Sequence, residues 1–254
     1  MFSLSGKKAL IVGIANSHSI AYGIAQALRE QGAELAVTYL NEKARPFVEP
    51  LAQELEADIF APLDVTDTAQ IDTLFDQIEE IWGRLDILIH AVAFCPMEDL
   101  HGRVTDCSRQ GFRMAMDISV GSFIQLTREA EPLMTNGGAC MTISYFGAEK
   151  VVENYNVMGP VKAALESVTK YMAAELGPKG IRVNALSPGP LMTRAASGIA
   201  HFDQLLDMAA ERAPTHHLAT IADVGAYAAF LASDSAKNVT GGVHYIDGGY
   251  HIVG

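Results

Sequence analysis

Six short runs of apolar, β-favouring residues, at 9–14, 35–39, 59–62, 85–90, 139–144 and 182–186, alternate along the chain with segments whose apolar residues recur at helical spacing. A strand that is apolar nearly throughout must be buried on both faces, which happens in a parallel sheet covered by helices. The intervening stripes are Ile20, Ile24 and Leu28, then Ile71, Leu74, Phe75, Ile78, Ile81 and Trp82, then Val161, Leu165, Val168 and Met172. Each matches one face of a helix. Strand-helix alternation of this kind forces right-handed crossovers, so the expected fold is α/β: a doubly wound, Rossmann-like parallel sheet with helices on both faces. A last run at 243–247, followed by Gly248 and Gly249, reads as a closing strand and turn.

With 254 residues, 49% of them hydrophobic, the chain can fill one large core, and residues 1–254 are read as a single domain. No repeat or linker divides it. Residues 190–214, rich in Ala, Met and His, are expected to form a mobile helical lid after the sixth strand. Eighteen Lys and Arg against 30 Asp and Glu, a net charge of −12, argue against a nucleic-acid partner, which would need clustered cations. Cys95, Cys107 and Cys140 are odd in number and lack metal-ligand spacing, so reduced thiols and no metal are expected. No apolar stretch is long enough to span a bilayer, and the run after Lys7 and Lys8 is too short for a secretion signal. A cytoplasmic location without membrane attachment is the expectation.

Gly13 closes the first strand and Gly23 lies inside the next helix. Glycine at a strand-to-helix turn lets backbone approach a pyrophosphate, which the helix N-terminus then attracts. Gly23 would let that helix pack close to the sheet. The spacing departs from the usual dinucleotide fingerprint, so an ordinary tight turn stays open. Asp64, after the third strand, could accept from an adenine amino group, or be a turn or capping aspartate.

Tyr155 and Lys162 stand seven positions apart, about two helical turns with ~20° of drift, and can share a face. Pro160, which lacks an N–H, fits if the helix begins near Tyr155 and holds the proline in its first turn. Eight tyrosines make such a spacing common by chance; its force comes from placement after the fifth strand, at the edge where doubly wound sheets bind ligands. A neutral phenol can donate to developing negative charge. A nearby ammonium favours the phenolate and can bind ribose hydroxyls. The pair could therefore stabilise an oxyanion formed when a hydride arrives from nicotinamide.

The segments Ser19-Ile20-Ala21-Tyr22-Gly23, Ser144-Tyr145-Phe146-Gly147-Ala148-Glu149, Asn154-Tyr155-Asn156-Val157-Met158-Gly159, Lys162-Ala163 and Ala195-Ala196-Ser197-Gly198-Ile199 together resemble the bacterial enoyl-acyl-carrier-protein reductases of type II fatty acid synthesis, within the short-chain dehydrogenase/reductase superfamily. Ketoacyl and alcohol dehydrogenases of that superfamily carry a serine where this chain has Thr142; here Tyr145 stands ten residues before Tyr155 instead. The resemblance implies hydride transfer from NADH to C3 of a trans-2-enoyl thioester, an enolate held by Tyr155, Lys162 on the nicotinamide ribose, and Tyr145 orienting substrate. It implies cofactor contacts at Gly13, Ser19, Ile20, Leu40, Asp64, Val65 and Val92, and along Leu191, Met192, Thr193, Arg194 and Ala195. It implies an acyl pocket of Cys95, Tyr145, Met158, Ala196, Ile199 and Phe202, whose apolar members could equally be core packing. It also implies a homotetramer.

The chain departs from its relatives in three places. Leu40-Asn41 replaces the glutamine of NADH-using relatives and the Arg-Lys pair of NADPH-using ones; the missing cation favours NADH, while Lys43 and Arg45 keep NADPH open. The segment from His90 to Cys95 has Ala93 where a glycine-containing version is more usual. The lid region carries His201, Asp203, Gln204 and Asp207 in place of cations, so an acidic carrier protein would need Arg194, Arg212, His216 and His217 as a basic rim. An enoyl thioester on acyl carrier protein is expected, with coenzyme A open. A carbonyl reductase using the same Tyr155 and Lys162, and a non-catalytic NAD(H)-binding protein, are the competing readings.

Overall fold

A computed structural model describes residues 2–193 and 202–253. Seven strands form one sheet in the order β3-β2-β1-β4-β5-β6-β7. They are β1 (Lys8–Val12), β2 (Glu34–Tyr39), β3 (Ile59–Pro62), β4 (Ile87–His90), β5 (Gly138–Ile143), β6 (Ile181–Pro188) and β7 (Val243–Ile246). Every ladder is parallel. The order reverses between β1 and β4, and a crevice opens there beyond the strands' carboxyl ends.

The pleat divides the strands between two cores. Leu10, Val12, Leu88 and Cys140 pack on one face, with α3 (Thr68–Trp82), α6 (Ser122–Ala130) and α7 (Met158–Leu176). Ala9, Ile11, Ile87, Ile89 and Met141 pack on the other, with α1 (Ile20–Glu30), α2 (Arg45–Glu54) and α9 (Ile221–Ala232). Successive strand residues point to opposite faces, and both faces are dry, as the continuous apolar runs require.

Strand positions agree with the sequence reading to within two residues. The first strand stops at Val12 because Gly13 turns with φ 114°, where a Cβ would sit 2.3 Å from the Ala91 carbonyl oxygen. In α3 the predicted stripe is shorter than expected: Ile71, Leu74, Phe75 and Ile78 are buried, whereas Ile81 is exposed and Trp82 turns its indole N–H to Asp58 at 3.0 Å. Asp67 caps that helix, accepting from Ala69 and Gln70 amides, and Gly83 ends it in the left-handed region.

Gly23 does not bring α1 onto the sheet, as expected from sequence. It brings α1 onto α9. A Cβ on Gly23 would lie 2.5 Å from the Ile221 carbonyl oxygen, and one on Gly225 would lie 2.3 Å from the Gly23 oxygen. The two backbones touch: Gly23 makes room for Ile221, and Gly225 makes room for Gly23.

The remaining described helices are α4 (Met97–Leu100), α5 (Arg109–Met116) and α8 (Phe202–Arg212). Between α5 and α6 the chain makes a π-helical turn, Asp117–Gly121. No helix among the described residues is long and apolar enough to cross a membrane, and no group of three metal-ligating side chains is found among them.

Candidate active site

A cleft of about 2560 Å³ runs along the carboxyl edge of the sheet. The structure gathers in its lining Gly13, Ser19, Ile20, Leu40, Asp64, Val65, Val92, Cys95, Tyr145, Tyr155, Met158, Lys162, Leu191, Thr193 and Phe202. Met192, exposed and outside that lining, is the exception. Arg194, Ala195, Ala196 and Ile199 lie outside the described residues, as does His201.

At the nucleotide end, the Ser19 hydroxyl accepts from the amides of Ala15 and Asn16, at 3.0 and 3.1 Å, and so fixes the loop that leads from Gly13 into α1. Gly13 leaves backbone, not side chain, facing the space above α1's first turn. This is a cradle suited to the pyrophosphate of a dinucleotide. Asp64 is a turn aspartate: one carboxylate oxygen accepts from the Thr66 amide and hydroxyl, at 2.9 and 2.7 Å. Leu40 is half-exposed and Lys43 lines the cleft beside it. Arg45 is committed elsewhere, paired with Glu42 and Glu49 and lying over the Tyr39 ring.

At the other end stand the two tyrosines and the lysine. Tyr155 is not in the helix, contrary to the sequence expectation: α7 begins at Met158, with Pro160 in its first turn. Tyr155 is held between Asn154 and Asn156, both left-handed at φ 63° and 46°. Asparagine tolerates that region better than most residues. The Asn156 amide also donates to the Leu100 carbonyl at 2.7 Å, tying the turn to α4. Lys162, buried on α7, donates from Nζ to the Ile143 carbonyl at the end of β5, 2.6 Å away. Burial lowers its pKa to about 8, opposed by the nearby Glu166 carboxylate.

The Tyr145 and Tyr155 rings meet edge to face, centroids 4.8 Å apart. Burial raises both phenols well above their usual range, and the negative charges that Tyr145 and Glu166 would carry add to the effect at Tyr155. Desolvation thus outweighs any pull of the lysine toward the phenolate, and Tyr155 is a neutral phenol at pH 7, as expected from the sequence. The Tyr145 hydroxyl is buried without a hydrogen-bond partner among the described residues. A buried hydroxyl of this kind costs about 1–3 kcal/mol until something accepts from it.

Sequence reasoning missed the layer beneath. His90, fully buried, lies between Ser122 Oγ, 2.8 Å from Nε2, and Thr142 Oγ1, 2.9 Å from Nδ1. Ser122 already donates to the Ile118 carbonyl at 2.6 Å, so it accepts from Nε2–H, and Thr142 donates to Nδ1. Burial, then the charge of Lys162, depresses the imidazole to about 3 and keeps it neutral. Ser119, on the π-helical turn, bonds both the amide and the carbonyl of Phe94 and so holds the cleft wall around Ala93. No periodicity marks either serine; only a histidine at the end of a buried strand hinted at partners. Thr142, which occupies the position of the dehydrogenases' serine, is spent on His90 and does not line the cleft.

Arg212, His216 and His217 are exposed but do not line the cleft, whereas Arg109 and Arg113, one turn apart on α5, do.

The sequence profile described as enoyl-(acyl carrier protein) reductase matches residues 13–251. The chain belongs to the enoyl-acyl-carrier-protein reductase family. It is 49% identical, over 99% of its length and 92% of the relative's, to enoyl-[acyl-carrier-protein] reductase [NADH] 1 of Rhizobium meliloti. Among solved structures, the family's NADH enzyme from Aquifex aeolicus superposes with a TM-score of 0.95 at 48% identity, covering 99% of both chains. The Anaplasma phagocytophilum member, solved in complex with NAD, superposes at 0.96 with 47% identity, covering 100% of this chain and 97% of that one. The family's fold is therefore shared along the whole cleft.

Proposed function

We propose that this chain reduces the trans-2 double bond of an enoyl thioester with NADH, as an enoyl-acyl-carrier-protein reductase of fatty acid synthesis. The observation that carries the reading is the pairing of two neutral phenols, half-buried Tyr145 and buried Tyr155, in one cleft with Lys162. Bound NADH supplies the hydride. The chain's residues receive the charge that follows: hydride addition at C3 places negative charge on the thioester oxygen, and the neutral Tyr155 hydroxyl donates to it. Tyr145, lacking a partner, accepts the task of orienting the acyl group, with Cys95, Met158 and Phe202 beside it. Lys162 holds the nicotinamide ribose while its Ile143 bond fixes its reach. Gly13, Ser19, Ile20, Asp64, Val65, Val92, Leu191 and Thr193 line the cofactor's path.

A carbonyl reductase would use the same Tyr155 and Lys162, but it is disfavoured because Thr142 is engaged with His90. The absence of a free cation at Leu40, with Arg45 engaged by Glu42 and Glu49, supports NADH; Lys43 leaves NADPH as a poorer donor. An acyl carrier protein is the proposed carrier, docking where Arg109 and Arg113 give the rim positive charge, with coenzyme A a weaker alternative. The segment around 190–214 is proposed as a lid, its α8 packing Phe202 and Leu205 against Val152. A homotetramer is supported by exposed Tyr171 on α7 and Ile124 on α6, and a cytoplasmic location by the function itself.

Steady-state NADH and NADPH oxidation with crotonyl and acetoacetyl groups, each on carrier protein and on coenzyme A, tests the reaction, the cofactor and the carrier. Crotonyl-carrier with NADH should be the best pair. Preference for acetoacetyl groups would overturn the enoyl reading.

A further inference from the structure

Behind the cleft lies a second cavity of about 560 Å³, bordered by Glu149, Glu166, Lys170 and Tyr245. One hydrogen bond separates the two spaces. Ser144, at the end of β5, lines the main cleft, and its hydroxyl donates to Glu166 Oε1, which lines the second cavity, at 2.5 Å. Glu166 sits one helical turn beyond Lys162 on α7 and interacts electrostatically with both Lys162 and Tyr155.

Reduction of an enoyl thioester consumes one proton per turnover, delivered at C2. Tyr155 and Lys162 are buried, and an acyl group bound in the cleft would block the way by which water reaches them. A second entrance for protons, away from the substrate, would remove that conflict. We propose that the Ser144–Glu166 pair is that entrance. Once Glu166 is protonated it donates to the Ser144 oxygen, and the serine hydroxyl, turned away from the carboxyl, passes its own proton to the cleft side, where Tyr155 is replenished. Glu166 then recovers a proton from water in the second cavity, so the pair ends as it began and no other reactant is needed.

The electrostatics suit this role. Burial raises the Glu166 carboxyl above the ordinary glutamate range, Glu149 adds to the rise, and the Ser144 bond, Lys170 and Lys162 oppose it. The net is a carboxyl that holds a proton more readily than a surface glutamate does. Glu149 is itself engaged by the Tyr245 hydroxyl at 2.7 Å, which leaves Glu166 as the acid aimed at the cleft. Glu166 touches neither substrate nor cofactor; it acts through Ser144.

This rests on the enoyl-reductase reading, and the test separates the two. Glu166→Gln keeps the size and can still accept from Ser144, but cannot exchange a proton. It should lower kcat about tenfold or more while leaving KM for NADH and crotonyl thioester within about twofold. Its solvent deuterium isotope effect on kcat should rise, and its kcat should fall more steeply with increasing pH than the parent's. In Glu166→Ala, whose truncation opens room beside Ser144, formate should restore part of the rate, and Glu166→Asp should keep most of it. Parent-like kcat, pH profile and isotope effect in Glu166→Gln would overturn the relay alone. A slow Glu166→Gln with an unchanged isotope effect, together with a Glu166→Ala that does not respond to formate, would also overturn it, showing a merely structural glutamate. A parent that fails to reduce crotonyl thioester would overturn the proposed function, and the relay with it.

Discussion

The edge of one phenol faces the ring of another: Tyr145 and Tyr155 lie with centroids 4.8 Å apart and planes at 66°. The contact fixes the hydroxyl of Tyr155 in a dry setting, where a hydrogen bond to an enolate is stronger than in water. Tyr155→Phe should lower kcat by about two orders of magnitude with NADH affinity unchanged, as read from steady-state rates and cofactor fluorescence titration. Tyr145→Phe keeps the ring contact and loses only the unpartnered hydroxyl. It should keep the fold's full stability and raise KM for the thioester severalfold, and an unaltered KM would remove Tyr145 from the substrate site.

Lys162 is depressed from 10.5 to about 8 by burial. Below pH 8 the folded protein carries this ammonium at a penalty, and between 8 and 10.5 the unfolded chain binds the extra proton, so the group's contribution to stability rises with pH across that window. The slope is roughly 1.4 kcal/mol per pH unit at most. In chemical denaturation of the cofactor-free protein, Lys162→Met should therefore gain stability relative to the parent at pH 7, and that advantage should shrink as pH climbs from 8 to 10.5. A pH-independent difference would contradict the burial argument. On the proposed role of Lys162 at the ribose, activity should follow the opposite course, because the ammonium is lost as pH passes about 8.

His90 behaves in the same sense at lower pH. Its imidazole is held neutral down to about 3, so between 6.5 and 3 the unfolded state binds a proton that the folded state refuses. Stability from this group is complete above 6.5 and drains as pH falls. His90→Gln, able to bond Ser122 and Thr142, should be less stable than the parent at pH 7 but lose less on acidification, by up to roughly 1.4 kcal/mol per unit. Parallel acid-denaturation curves for the two proteins would show that His90 is not the group at work.

Arg109 and Arg113 offer a charge test of the carrier. Reversing both, Arg109→Glu with Arg113→Glu, should raise KM about tenfold for crotonyl-carrier protein at low salt and much less for crotonyl-coenzyme A, with the difference fading as ionic strength rises. Equal effects on both substrates would place the carrier elsewhere.

The sheet was legible because its strands are apolar on both faces, a pattern no other arrangement of short β runs produces so well. Lys162 and Tyr155 were legible as a pair but not as a geometry. Counting residues put both on one helix, whereas two left-handed asparagines, whose backbone angles leave no trace in hydrophobic periodicity, set Tyr155 just outside it. Gly23 was visible as a helical glycine, yet its partner was misread because Gly225 lies almost the whole chain away and nothing local links them. The polar layer of His90, Ser119, Ser122 and Ser144 was invisible for a related reason. Single hydroxyls carry no pattern until the fold brings their acceptors to them.

The backbone contact between Gly23 and Gly225 has a consequence for how the protein is made. The helix whose first turn opens on the cleft packs its apolar stripe on the sheet, but the face around Gly23 meets no partner until α9, far later in the chain, has been synthesised. The growing chain carries that face uncovered through the intervening synthesis. Gly225→Ala should on this view lower the yield of soluble protein more than it lowers the activity of the molecules that do fold.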